Sequence, residues 1–120
     1  MRETLGNYFQ SGIRLSLSII LLSFTVLAYA EKPMSPVEKG HGLAKKLCQA
    51  CHMFKGATQA GNTGPPFVSM KARFPEVKKI RNIIYDAHVS NPDSMMPPFG
   101  RHGLVNAVEI NHIIDFLYTQ

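Results

Sequence analysis

Residues 48 to 52 read Cys48-Gln49-Ala50-Cys51-His52, and they hold both cysteines of this 120-residue chain. The run Cys-x-x-Cys-His is the attachment signal for c-type haem. Positions i and i+3 share one face of a helix. Two thiols on that face can each add to one vinyl group of a porphyrin, forming two thioethers. The next residue, His52, then stands ready as the proximal ligand of the iron. A chain that carries so large an apolar group must fold around it.

Three other uses of this motif compete. A Cys-x-x-Cys disulfide closes a very short loop and staples little. A thioredoxin-like redox pair should follow a strand in a βαβ pattern, and none is visible here. A zinc site needs a second Cys/His pair at metal-ligand spacing, which is missing. One covalent haem c, bound through Cys48 and Cys51, is the reading that remains.

The first 30 residues read as a targeting segment. Arg2 and Arg14 lie in a polar start, Leu15 to Leu27 is apolar, and Ala28-Tyr29-Ala30 is a small-x-small cleavage site. The run from Leu15 to Ala30 is shorter than the ~20 residues that a membrane span needs. Ser16, Ser18, Ser23 and Thr25 weaken it further. We expect a cleaved signal peptide over 1–30, one mature domain over 31–120 and no membrane attachment after cleavage. Export fits the cysteines, because haem c is attached outside the cytoplasm, where free thiols would oxidise. The expected location is the periplasm. So short a mature chain buries a modest core alone, so loss of the haem should unfold it.

Residues 31–120 carry 11 Lys and Arg against 7 Asp and Glu, a net +4 before two haem propionates are counted. Lys39, Lys45, Lys46 and Lys55 surround the haem motif, with Lys78 and Lys79 further on. Such charges usually form a solvated face. Near a haem edge they also steer acidic redox partners. No basic-aromatic platform for nucleic acid appears.

The periodicity is helical throughout. Ser35-Pro36-Val37-Glu38 is a capping box with proline at the first helical position. The helix it starts runs to the haem motif, with Val37, Gly40, Ala44 and Leu47 on one stripe. Gly40 suits a close crossing by another helix. Asn106 and Glu109 cap a last helix, with Val105 and Ile110 as a staple and Ile110, Ile113, Ile114 and Leu117 as its apolar face. A middle helix spans Pro75 to Ala87 through Val77, Ile80, Ile83, Ile84 and Ala87. Residues 56–67 and 91–103 are loops rich in Gly, Pro and Asn. The expected fold is all-α: three main helices and long loops around one haem.

A haem with one histidine needs a sixth ligand or an open site. Met95-Met96-Pro97-Pro98-Phe99-Gly100 supplies a candidate 44 residues beyond His52. A thioether ligand raises the reduction potential. The two prolines lower the entropy lost when a methionine is held. Met96, directly before them, is the preferred ligand, and Met95 is the other candidate. His41, His88, His102 and His112 lie on helix faces or loop edges, and His102 is the least remote of them from the methionines. Tyr85 is a candidate donor to the Met96 sulfur. Arg73 and Arg81 are candidate partners for propionates.

These residues resemble the class I cytochromes c across nearly all of 31–120. In that family a Gly-Pro loop follows the haem motif, and the proline carbonyl accepts a hydrogen bond from the proximal histidine. Gly64-Pro65 matches, so the resemblance implies that Pro65 holds His52. The chain is most similar to one branch, the SoxX subunits of SoxAX cytochromes. The matching stretches are Gly61-Asn62-Thr63-Gly64-Pro65-Pro66, Ala72-Arg73-Phe74-Pro75, Asn91-Pro92 and Met96-Pro97-Pro98-Phe99-Gly100. The closing run from Glu109 to Leu117 is also similar.

That resemblance implies a heterodimer with a SoxA-like haem subunit. Such a complex joins thiosulfate oxidatively to a cysteine of the SoxYZ carrier, as an L-cysteine S-thiosulfotransferase. The catalytic site belongs to the partner, and this chain passes electrons to a soluble cytochrome c. No residue here reads as a nucleophile or general base, so no catalytic residue is assigned. Only residues 31–35 precede the first helix, which implies a small partner interface or help from a third subunit. Two other function classes remain: a free-standing electron shuttle, and a ligand-binding haem protein with an open iron.

Overall fold

The structure is a computed structural model and describes residues 32–59 and 61–120. The expected signal peptide, residues 1–30, lies outside the described residues. Ser35 opens the first helix. Its hydroxyl accepts from the Glu38 N–H at 3.3 Å, and the Glu38 carboxylate accepts from the Ser35 N–H at 2.7 Å. Two amide groups that a helix start leaves orphaned are thereby satisfied. Helix α1 runs Pro36–Leu47 and ends at Cys48. Gly40 and Ala44 are buried and Leu47 is half-buried, but Val37, expected on the same stripe, is exposed. It lies in the first turn, ahead of the point where another helix crosses α1.

A one-turn helix, α2 (Met70–Arg73), was not evident from periodicity. Four residues are too few to show a period. It starts from Ser69, which sits in the left-handed region at φ 50°. Helix α3 (Val77–Tyr85) is shorter at both ends than the expected span from Pro75 to Ala87. Asp86 leaves the helical region, and a 3-10 turn, Ala87–Val89, follows. The Asp86 carboxylate accepts from the His88 N–H, an Asp side chain competing with the helix for backbone donors. Ile80 and Ile84 are buried, whereas Val77 is exposed. Helix α4 (Ala107–Leu117) begins with the second capping box, Asn106 with Glu109.

Helix α4 lies at the centre. It packs against α1 on one side and against α3 on the other. Ile110, Ile113, Ile114, Phe116 and Leu117 all turn inward and build the core with Ala44, Phe54, Ile80 and Ile84. Gly40 meets the His112 carbonyl and Phe116 so closely that a Cβ has no room. The Tyr118 hydroxyl donates to the Phe74 carbonyl at 2.6 Å and ties the end of α4 to the segment after α2. No strand occurs among the described residues, so the fold is all-α as expected. No helix among them is long and apolar enough to cross a membrane.

Candidate functional site

Helix α1 delivers the haem motif by ending on it. The Cys48 N–H closes the last helical turn on the Ala44 carbonyl, and the Cys51 and His52 N–H groups both reach back to the Cys48 carbonyl. The motif is thus a tight turn continuing the helix. Gln49, inside it, accepts from the Thr58 N–H and hydroxyl, which pins the turn from outside.

The loop that follows folds back over the turn. The Gly64 N–H donates to the Cys51 carbonyl, and the Phe67 N–H to the Met53 carbonyl, both at 2.8 Å. Gly61 lies against the backbone of Gln49, Cys51 and His52, where a Cβ would come within 2.7 Å of the His52 nitrogen. Gly64 lies on the His52 ring itself, with no space for a side chain. Small residues let the loop approach this closely.

That approach sets the imidazole. His52 Nδ1 is 2.7 Å from the Pro65 carbonyl oxygen. A carbonyl can only accept, so Nδ1 carries the proton and donates it. Nε2 then keeps its lone pair for a metal. The ring stacks on Phe67, with centroids 4.5 Å apart and planes 20° from parallel. The Arg73 guanidinium donates to the neighbouring Pro66 carbonyl at 3.1 Å, bracing the same loop from α2.

These groups face a cavity of about 510 Å³. Cys48, Cys51, His52, Pro65 and Met96 all line it, and so does Met95. Its walls are largely apolar: Leu47, Phe67, Met70, Phe74, Ile80, Ile84, Phe99 and Leu117 among them. Met96 is half-buried in the wall, while Met95 is 83 % exposed. The other four histidines do not line the cavity. His41 stacks on Phe116, His88 pairs with Asp86, His102 is exposed and His112 packs near the α1–α4 crossing. Tyr85 falls away as a donor to the Met96 sulfur. Tyr85 turns its ring onto Gly100 and does not line the cavity, and neither does Arg81.

The Cys48 thiol is poorly suited to disulfide exchange. Burial pushes the Cys48 thiol up to about 11, and the neighbouring Cys51 adds to the shift. A catalytic dithiol needs the opposite, a depressed thiol.

A family model described as cytochrome C oxidase, cbb3-type, subunit III matches residues 35–117, from the cap of α1 to the end of α4. The chain belongs to this family of c-type cytochromes. No curated protein and no solved structure matches the chain. A c-type cytochrome carries covalent haem c, and the residues present fit that group. The cavity offers two thiols at haem-c spacing, an imidazole with a free Nε2 and a thioether. Its volume lies within the range of about 300–1,000 Å³ common for cofactor sites. Bound there, haem supplies one-electron transfer.

Some contributors had no signal in the sequence. Phe67 flanks His52 only because the loop returns, and Arg73, which also lines the cavity, reaches the Pro66 carbonyl. Asp86 and Arg101 join across 15 residues.

Proposed function

We propose that this c-type cytochrome is an exported monohaem electron carrier with His52 and Met96 as its axial ligands. Cys48 and Cys51 hold the porphyrin, and Pro65 orients His52. The observation that carries this reading is that all five residues face one apolar cavity, with the His52 Nδ1 proton already committed to Pro65. A thioether favours Fe(II) and raises the potential. An iron filled on both sides exchanges electrons and takes no substrate, in keeping with a chain that has no nucleophile or general base at the site. In this proposal residues 1–30 are a cleaved signal peptide, and the mature domain, 31–120, works in the periplasm.

The carrier works, in this proposal, as a SoxX-like subunit. Its partner is a SoxA-like haem protein that conjugates thiosulfate to a cysteine of SoxYZ, and its electrons go on to a soluble cytochrome c. The support is the motif set. Its stretches supply Thr63, Gly64, Pro65, Pro66, Asn91, Met96, Pro97 and Phe99 to the cavity wall. Purification from cells growing on thiosulfate tests it. A second haem protein should co-purify, and thiosulfate should reduce the complex. A lone monomer would sink the partner and leave a free-standing shuttle. The family description favours one other reading, a subunit of an oxygen-reducing oxidase. Co-purification with a membrane oxidase would select it.

A further inference from the structure

Met96 hangs in a loop that is tied at both ends to the same short stretch, residues 85–87. On the near side, the Asn91 N–H donates to the Ala87 carbonyl and the Ser94 N–H to the Asn91 carbonyl, both at 3.0 Å. The Met96 N–H then donates to the Ser94 hydroxyl at 3.2 Å. On the far side, the Gly100 and Arg101 N–H groups converge on the Tyr85 carbonyl at 3.1 and 3.0 Å. Arg101 Nη1 donates to Asp86 Oδ2 at 2.9 Å. The Tyr85 ring covers Gly100, which leaves no room for a side chain there.

Asp86 stands out in this arrangement. It is 5 % exposed, and among the described residues it is the one charged side chain that is buried. A carboxylate is kept in such a place only when partners satisfy it. Oδ2 has Arg101, and Oδ1 accepts from the His88 N–H and lies 3.3 Å from His88 Nδ1. None of these bonds reaches the α1–α4 crossing or the core. All of them act at the root of the Met96 loop. Arg101 comes in from solvent, its side chain 62 % exposed.

We propose that Asp86 is a positioning residue for the axial methionine: through Arg101 it fixes the far tether and thereby sets how firmly Met96 is presented to the haem iron. This rests on the reading of Met96 as ligand. The loop is short and the sulfur is a single weak donor. A slack tether therefore shows as a larger fraction of iron without its methionine. An added ligand that competes for the iron gains apparent affinity in proportion to that fraction.

Imidazole titration of the ferric holoprotein reads this directly, well below the unfolding temperature. Asp86→Asn and Arg101→Gln should each bind imidazole about tenfold more tightly than the wild type, and the weak red band of methionine-ligated ferric haem should fade. The double variant should bind little more tightly than the stronger single variant, because both changes break one contact. Arg101→Gln alters a largely solvated side chain, so the test stands even if Asp86→Asn does not accumulate. Ile110→Val, a core truncation outside the cavity wall, should leave imidazole affinity at the wild-type value.

Unchanged affinity in Asp86→Asn and Arg101→Gln overturns the proposal, provided that Met96→Ala abolishes the red band. An equal gain in Ile110→Val also overturns it, since general loosening would then be the cause. A wild type without the band, or a Met96→Ala variant that binds imidazole no more tightly, removes the ligand assignment and the proposal with it.

Discussion

Gly40 on α1 lies against the backbone carbonyl of His112 on α4, in a space that a Cβ would have to share with that carbonyl. The contact joins two helices that are 72 positions apart. Two residues further along the same helix, Gly42 has nothing within 4 Å of the place where a Cβ would stand. One glycine is there for packing and the other is not.

Gly40→Ala should therefore destabilise the protein by about 1–3 kcal/mol, the usual cost of overpacking a tight contact. The blocking atoms are backbone, which cannot rotate away. Gly42→Ala should stabilise by up to about 1 kcal/mol, because alanine favours a helix and meets no obstacle. Thermal unfolding of the two holoproteins gives the answer. A Gly40→Ala variant as stable as the wild type would contradict the crossing.

Met96→Ala should leave the haem covalently attached while opening a coordination position. The red band should vanish, carbon monoxide should bind the ferrous protein quickly, and the reduction potential should fall, since methionine ligation raises it. Met95→Ala should change none of these, as its side chain is mostly in solvent. Spectra and a potentiometric titration distinguish the two methionines. The reverse pattern would transfer the ligand role to Met95.

In the proposed reading, Cys48 and Cys51 carry the covalent attachment of the haem. Cys48→Ala with Cys51→Ala should give a polypeptide without peroxidase stain after denaturation and acid-acetone washing. Far-UV circular dichroism should show much of the helix lost. The core residues Ile80, Ile84, Phe99, Ile113 and Leu117 all line the cavity, so their packing depends on what fills it. Retained, cooperative folding without haem would show that the helices pack by themselves.

Acid should weaken the fold in a defined way. The Arg101 guanidinium, hydrogen-bonded to Asp86, holds its carboxyl below the ordinary value; burial opposes this, and the His88 N–H helps. The Ser35 N–H does the same for Glu38 in the first capping box. A carboxyl held low in the folded state binds fewer protons there than in the unfolded chain. Its stabilisation is full above the unfolded value, about 3.9 for Asp, and drains away as pH falls toward the folded one. The melting temperature should drop on acidification below about pH 4, and drop less steeply in Asp86→Asn. Equally steep profiles would mean that Asp86 gains nothing from Arg101.

Much of this protein follows from short-range chemistry. The two capping boxes, Ser35 with Glu38 and Asn106 with Glu109, are contained within four residues each, so they could be read from order alone. The haem motif spans five. The apolar face of α4 repeats often enough to show its period, and all five of its inward residues are buried. Helix α3 was legible in kind but not in extent. Its end depends on Asp86, whose side chain takes a local donor and also a guanidinium 15 residues away.

What the sequence determined by itself is the cofactor chemistry, the helical class and the helix starts, because each rests on neighbours along the chain. Only the tertiary structure decided which carbonyl takes the His52 proton, what crowds Gly40, and what anchors the loop that carries Met96. Those contacts pair residues 13, 72 and 15 positions apart. No local preference encodes such partners. They meet only when the helices cross and the loops close.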